Sequence, residues 1–226
     1  MNINYRLKTF GKALTPPILL GGGKAILGLI SKSKQEHGER DPDWYDRAFS
    51  RTEESHKHYT ESRYYFLWSI IAHLLTRDGV SSVLDVGCGS GQFALLLRDQ
   101  GIKKYCGIDF SHKRIEWART QCPDFTFVVE DALQTDLFRT FDYDAVVCTE
   151  FLEHIKSDLE VIRKIRPGAR FYGVVPNFPF SSHVRYFKSI AEVTERYARY
   201  FKDFRVSPFF ANRKGKTCFL LEGKKL

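Results

Sequence analysis

Between residues 80 and 176, short apolar runs take turns with longer stretches whose apolar positions recur every three or four residues. The runs 82–86, 105–108, 125–129, 145–148 and 171–175 are rich in Val, Ile, Phe, Tyr and Cys, which predicts buried strands. Between them, 92–100, 112–121 and 157–165 have the spacing of amphipathic helices. Strands apolar on both sides, alternating strictly with helices, predict a parallel sheet covered on each face. Upstream, Tyr64, Leu67, Trp68, Ile71, Leu74 and Leu75 predict one or two helices within 44–76. Downstream the rhythm changes, and 204–210 and 217–221 read as two strands of a hairpin. The expected fold class is therefore α/β: a doubly wound, mostly parallel seven-stranded sheet with a C-terminal antiparallel hairpin and N-terminal helices.

A chain of 226 residues is long enough for one sizeable core and short enough that a single domain is the natural expectation. Pro16, Pro17, the glycines at 21–23 and the polar stretch 31–40 mark residues 1–40 as a partly flexible arm before a domain at 41–226. That arm holds seven basic residues against two acidic ones, so only +3 of the total charge of +8 belongs to the rest. A broad nucleic-acid-binding face is thereby disfavoured, while an anionic partner or a peripheral membrane contact through residues 1–40 stays open. Residues 18–30 are apolar, but the glycines and Lys24 interrupt them and they are too short to span a bilayer. No small-residue cleavage site follows them directly, which also disfavours a signal peptide. The five cysteines form no CxxC pair and several lie in apolar runs, which fits a reducing cytoplasm. Oligomeric state leaves no mark in the sequence.

Ligands of open α/β sheets sit beyond the carboxyl ends of the strands, and here those ends are repeatedly acidic. Asp85 closes the first strand and Asp109 the second, with Asp131 just past the third and Glu150 just past the fourth. Such an edge suits a ligand with several hydroxyl or amino donors and a positive charge. After the first strand comes VLDVGCGSGQF, whose Gly87, Gly89 and Gly91 let backbone approach a ligand closely. A carboxylate at Asp109 can accept both hydroxyls of a ribose, and Phe110 can cover an adenine face. Gln92 stands where the nicotinamide fingerprint GxGxxG has its third glycine, which lowers the dehydrogenase reading.

These residues resemble the class I S-adenosylmethionine-dependent methyltransferase family. The likeness rests on the glycine motif at 83–93, on Gly107-Ile108-Asp109-Phe110-Ser111, on Glu130-Asp131-Ala132, and on CTEFLEHI at 148–155. It implies that Gly87, Cys88 and Gly89 border the methionine part of the cofactor, that Asp109 holds the ribose, and that Asp131 with Ala132 contacts the adenine. It also implies that Asp85 orders the glycine turn, that Glu150 lies at the cofactor, and that Tyr59 and Arg63 receive the cofactor carboxylate from a helix preceding the first strand.

Methyl transfer from a sulfonium is an in-line displacement with a good leaving group, so alignment and exclusion of water come first and a base is an addition. The candidate catalytic groups are Glu150, His154 and His183. Glu150, Glu153 and His154 form an ExxEH cluster, with the last two expected in the first helical turn after the fourth strand. Two carboxylates and an imidazole could hold a divalent metal, with His183 or water completing the shell. Similar clusters occur in metal-dependent small-RNA 2′-O-methyltransferases and in ubiquinone-pathway O-methyltransferases. General-base His154 or His183 is the simpler expectation. His183 lies in VPNFPFSSHVRYF beyond the fifth strand, where Asn177, Phe178, Phe180, Arg185 and Tyr186 could wall an acceptor pocket. His56 and His58 read as a solvated helix face. With little room for a separate recognition domain, the expected acceptor is a small molecule or sugar, and the leader Thr15-Pro16-Pro17-Ile18-Leu19-Leu20 resembles those of methyltransferases of glycan or natural-product pathways. The rivals are an RNA 2′-O-methyltransferase using the ExxEH metal site and a non-catalytic cofactor-binding or scaffold protein.

Overall fold

The computed structural model describes residues 38–210 and 216–226. The apolar segment 18–30, most of the expected 1–40 arm and most of the hairpin's connection lie outside the described residues. One seven-stranded sheet runs in the order β3-β2-β1-β4-β5-β7-β6. Its strands are β1 (Ser82–Val86), β2 (Lys104–Asp109), β3 (Thr126–Val129), β4 (Ala145–Thr149), β5 (Arg170–Pro176), β6 (Phe201–Phe210) and β7 (Thr217–Lys225). β1 to β5 are mutually parallel, and β7 lies antiparallel between β5 and β6. From β1 the chain winds outward through β2 and β3 and then returns to β4 on the other side. The crevice where a ligand binds in such sheets is therefore at the ends of β1 and β4.

The hairpin strands extend beyond the apolar runs that predicted them. Their polar residues Glu222 and Lys224 pair with Tyr172 and Arg170 across the backbone ladder, which side-chain hydrophobicity does not control. On β6 the register shifts between Lys202 and Arg205, where Asp203 takes a left-handed φ of 54°. That bulge and Pro208 blunt an otherwise exposed edge strand.

Side chains alternate across β1: Val83 joins the core beneath α2 (Tyr65–Arg77), α3 (Gln92–Asp99) and α4 (His112–Gln121), while Leu84 and Val86 join the other. That second core is closed by α5 (Leu137–Thr140), α6 (Asp158–Lys164) and α7 (Ile190–Tyr197). Ile71 and Leu75 of α2, Leu97 of α3 and Ile115 of α4 are fully buried on one face, matched by Val161, Ile162, Val193 and Tyr197 on the other. Burying a side chain of this size contributes about 1.5–3 kcal/mol against leaving it in water.

Two helices form within 44–76 and its margins. The first is α1 (Pro42–Phe49), started by the Asp41 carboxylate accepting from Trp44 N at 2.7 Å with proline in the first turn. Two 3-10 turns, Glu53–His56 and Tyr59–Glu61, separate it from α2. Helix α7 was not anticipated, although Ser189 and Glu192 form a capping arrangement there: Ser189 Oγ accepts from Glu192 N at 3.2 Å and Glu192 accepts from Lys188 N at 2.7 Å. Among the described residues, no helix is long and apolar enough to cross a membrane.

Candidate active site

The glycine turn hangs from the neighbouring strand. Ile108 O accepts from Gly87 N at 2.8 Å and from Cys88 N at 3.1 Å. Gly87 has φ 79°, and a Cβ there would meet Phe151 at 2.5 Å, so glycine is required both by conformation and by close approach. Gly89, at φ 55°, faces open space. Its N–H donates to Asp109 Oδ2 at 3.1 Å, and Ser111 N donates to Asp109 Oδ1 at 2.9 Å. Asp109 is buried, which pushes its carboxyl up, while Arg114 and those two N–H groups pull it back down. Each of its oxygens keeps a lone pair for a further donor.

Beside this turn lies a cleft of about 750 Å³, part of it open to solvent, with Gly87, Asp109, Phe110, Ala132, Glu150 and His154 on its wall. Asp131 and Glu130 line it as well. So do Glu39 and Arg40, which the sequence assigned to the arm; Arg40 donates to Ser181 O at 3.1 Å, and Gly38 N donates to the same carbonyl at 3.3 Å. Helix α1 covers one side. Asp46 Oδ1 accepts from Ser111 Oγ at 2.5 Å and from Lys113 N at 3.2 Å, tying α1 to the start of α4. The Tyr45 ring then lies edge-on to Phe110 at 5.2 Å and to His154 at 6.1 Å, with the Arg114 guanidinium 4.8 Å from its centroid. Burial raises the Tyr45 hydroxyl to about 12, so it is a neutral donor at physiological pH.

The ExxEH segment does not enter a helix where the spacing suggested. Glu150 takes a left-handed φ of 53°, residues 151–157 form turns, and α6 begins only at Asp158. The three side chains therefore do not share a helix face. Among the described residues, the group close enough to hold a metal is Glu153, His154 and His183, whose ligand atoms lie within 4.8 Å of one another; Glu150 is not in it. Two hydrogen bonds bring His183 in: Val184 N donates to Glu153 O at 2.8 Å, and His154 Nδ1–H donates to Ser182 O at 3.0 Å. His183 Nδ1–H donates to Phe178 O at 3.1 Å. Both rings thus take the tautomer that leaves the lone pair on Nε2.

Glu153 is fully buried, and neither carboxylate oxygen has a hydrogen-bond partner. Burial, and then Glu150, push its carboxyl well above the usual range. Burial, and then His183, lower His154 to about 4. Both shifts disfavour the charged forms, so the 3.8 Å contact between Glu153 Oε1 and His154 Nε2 does not act as a simple ion pair. Glu150 sits apart, accepting from Tyr64 Oη at 3.4 Å; burial raises it to about 7 despite the nearby Arg63.

Several residues expected at the cofactor have other employment. Tyr59 is in the core and its hydroxyl donates to Asp99 at 2.7 Å, away from the cleft wall. Arg63 donates to Tyr64 Oη at 2.9 Å, which puts it beside Glu150. Cys88 is buried against Gly107. Asp85 accepts from Tyr105 Oη at 2.6 Å, with no bond to the glycine turn, and burial raises it to about 7. Asp131 is exposed and its Oδ1 accepts from Leu133 N at 2.8 Å. Asn177 is zipped to Thr217 of β7 and Arg185 turns to the ExxEH loop. His56 is exposed but packs between Phe49 and Trp117. Tyr45, Arg114 and Glu130 were missed as site residues; only Glu130 carried a signal, its place beside Asp131 in the quoted motif.

An open sheet reversing at β1/β4, a glycine turn there and a buried carboxylate at the end of β2 define a Rossmann-like nucleotide site. The family model described as "Methyltransferase domain" matches residues 59–216, and the chain belongs to that family, the class I S-adenosylmethionine-dependent methyltransferases. The ubiquinone biosynthesis O-methyltransferase of Vibrio parahaemolyticus is 30% identical over 105 residues, covering 42% of this chain and 44% of that protein. That of Rickettsia akari is 29% identical over 114 residues, covering 46% and 43%. The chain thus spans less than half the length of these curated relatives. Among solved structures, the N-methyltransferase NodS of Bradyrhizobium japonicum, in complex with S-adenosylhomocysteine, superposes with a TM-score of 0.56 at 15% identity, covering 72% of this chain and 87% of that one. Magnesium protoporphyrin IX methyltransferase of Synechocystis, with bound cofactor, gives a TM-score of 0.53 at 19% identity, covering 70% and 78%. The residues present fit the cofactor: Asp109 has one lone pair left on each oxygen for a pair of ribose hydroxyls, and Gly89 leaves open space.

Proposed function

We propose that this methyltransferase acts on a hydroxyl of a small-molecule or sugar acceptor, and that His154, with Glu153 and His183, handles the acceptor's proton. The observation that carries this is the orientation of His154. His154 lines the cleft; its Nδ1–H is spent on Ser182 O, and its Nε2 lone pair stands 3.8 Å from the buried Glu153 carboxyl. The cofactor, when bound, supplies an electrophilic methyl on a sulfonium. Asp109 and the Gly87–Gly89 turn hold and orient the nucleoside, and Tyr45 with α1 excludes water. His154 Nε2 would accept the hydroxyl proton as the acceptor oxygen bonds to the methyl carbon and the methyl–sulfur bond breaks, leaving the neutral thioether S-adenosylhomocysteine. A neutral amine would need less of this help, and the O-methyltransferases among the relatives support a hydroxyl acceptor. Isotope transfer from labelled S-adenosylmethionine to an acceptor library tests the reading: labelled ethers are expected, and labelled amines alone would contradict it.

One observation favours a second version. Glu153 with both oxygens unpartnered, and two imidazoles each fixed through Nδ1 to a carbonyl, form the donor set and outer shell typical of a divalent-ion site. An ion there would lower the pKa of an acceptor hydroxyl.

A further inference from the structure

A second concavity, of about 550 Å³ and partly open to solvent, lies between the end of α2 and the β5-β7-β6 side of the sheet. Arg170 begins β5 and Asp78 precedes β1, so it is at the amino ends of the parallel strands, the opposite edge from the cofactor cleft. Lys224 of β7 stands opposite Arg170 of β5 on one side and Lys202 of β6 on the other. Residues paired in register share a face of the sheet, so three cations form one row roughly 10 Å long. Like charges directly opposite one another destabilise a sheet. Two positions along, on the same face, Glu222 pairs with Arg205, and Arg205 lines the concavity with Arg170 and Lys224. The carboxylates nearby do not balance these cations. Asp78 is taken up: Arg77 forks it at 2.8 and 3.1 Å, Arg170 lies 3.1 Å away and Tyr172 Oη donates to it at 2.5 Å. Glu222 accepts from Arg77 at 3.4 Å. That leaves Asp203, at the bulge, to face Lys202, Arg205 and Lys224. Among the described residues, these three cations make no side-chain hydrogen bond or ion pair. A ligand can reach them, since all three are exposed and the Arg170 side chain is 43% exposed.

We propose that this concavity is a second binding site, for a small ligand that carries two or more phosphates. Arg170 and Arg205 offer planar forks that match phosphate oxygens, and the lysines add point charges. Cations spread over two ladder positions outrun a single phosphate and suit a linked pair, which would also relieve the repulsion along the row. The end of α2 and the bulge wall the site in, which favours a small molecule over a nucleic-acid strand. Binding of inorganic pyrophosphate to the full chain is measured by calorimetry at low salt, with and without S-adenosylhomocysteine. One pyrophosphate per chain is expected, bound more tightly than inorganic phosphate and with an affinity that S-adenosylhomocysteine does not change. Arg205→Gln combined with Lys224→Gln should weaken pyrophosphate by roughly tenfold or more, as loss of charge-assisted hydrogen bonds does, and leave the affinity for S-adenosylhomocysteine as it was. Circular dichroism checks that the double variant is folded, and Lys224→Gln alone serves if it is not. A wild type that does not bind pyrophosphate, or that binds phosphate equally well, overturns the proposal. So does binding that S-adenosylhomocysteine displaces, which would put the anion in the cofactor cleft. Binding that survives the substitutions overturns it too, and would put the anion on other cations, such as the basic residues of 1–40.

Discussion

The imidazoles of His154 and His183 meet edge to face with centroids 4.9 Å apart, each held by its Nδ1–H on a carbonyl of the segment that follows β5. Residues 29 positions apart in sequence are thereby fixed as one unit beside the buried Glu153. The two versions of the chemistry part here. If the unit holds a divalent ion, chelation should abolish methyl transfer, and Glu153→Gln should imitate it; if it handles only a proton, activity should survive chelator. Turnover measured with and without chelator, followed by re-addition of magnesium, manganese or zinc, separates them.

Of the residues proposed to hold the cofactor, Asp109 is the most firmly positioned, because Gly89 N and Ser111 N fix both of its oxygens. Asp109→Ala should weaken S-adenosylhomocysteine by roughly tenfold or more, as loss of hydrogen bonds to a charged group does. Calorimetry checks this, with circular dichroism to show that the variant is folded. Unchanged affinity in a folded variant would remove Asp109 from the site.

Stability should depend on pH through Asp85 and His154 with opposite signs. Burial raises Asp85 from 3.8 to about 7, so its stabilising protonated form is fully present below pH 3.8 and is lost as pH rises through about 7. His154 is lowered from 6.5 to about 4, so its contribution is present above pH 6.5 and is lost as pH falls through about 4. Asp85→Asn keeps an acceptor for Tyr105 and cannot ionise. Its stability relative to wild type should therefore climb between about pH 4 and pH 7, read by denaturant unfolding across that range. A difference independent of pH would show that Asp85 does not titrate in that window.

Asp158 is fully buried under three partners: Arg196 grips it with a fork at 2.8 and 2.7 Å, Tyr197 Oη donates at 2.7 Å, and Arg185 stands 3.2 Å away. Arg185 also donates to the carbonyls of Leu152, Ile155 and Lys156, so this pair network clamps the loop that carries Glu153 and His154. Asp158→Ala leaves partly buried guanidinium groups uncompensated and should cost about 3–5 kcal/mol in unfolding free energy. A loss under about 1 kcal/mol would mean that water replaces the carboxylate.

The sheet was legible because its central strands β1 and β4 are buried along nearly their whole length, and runs as short as 82–86 and 145–148, rich in Val, fit a strand better than a helix. The Gly87–Gly89 turn and Asp109 were legible because their chemistry is local to one strand end. The ExxEH reading went astray because spacing shows a shared helix face only where a helix exists, and Glu150 at φ 53° turns the chain out of one. Tyr45 and Arg114 were invisible because their position depends on α1 folding back onto α4 through Asp46, a contact between residues 65 apart. The role of Glu153 likewise depends on burial, which no motif records.

The central claim is hydroxyl methylation with the proton handled at His154. It is tested most directly by single-turnover transfer of labelled methyl from S-adenosylmethionine, comparing wild type with His154→Ala at matched cofactor saturation. The account predicts a labelled ether product, a rate lower by roughly 10²–10⁴ in the variant and cofactor affinity within about threefold of wild type. Full-rate transfer in His154→Ala, with the same product, would contradict it.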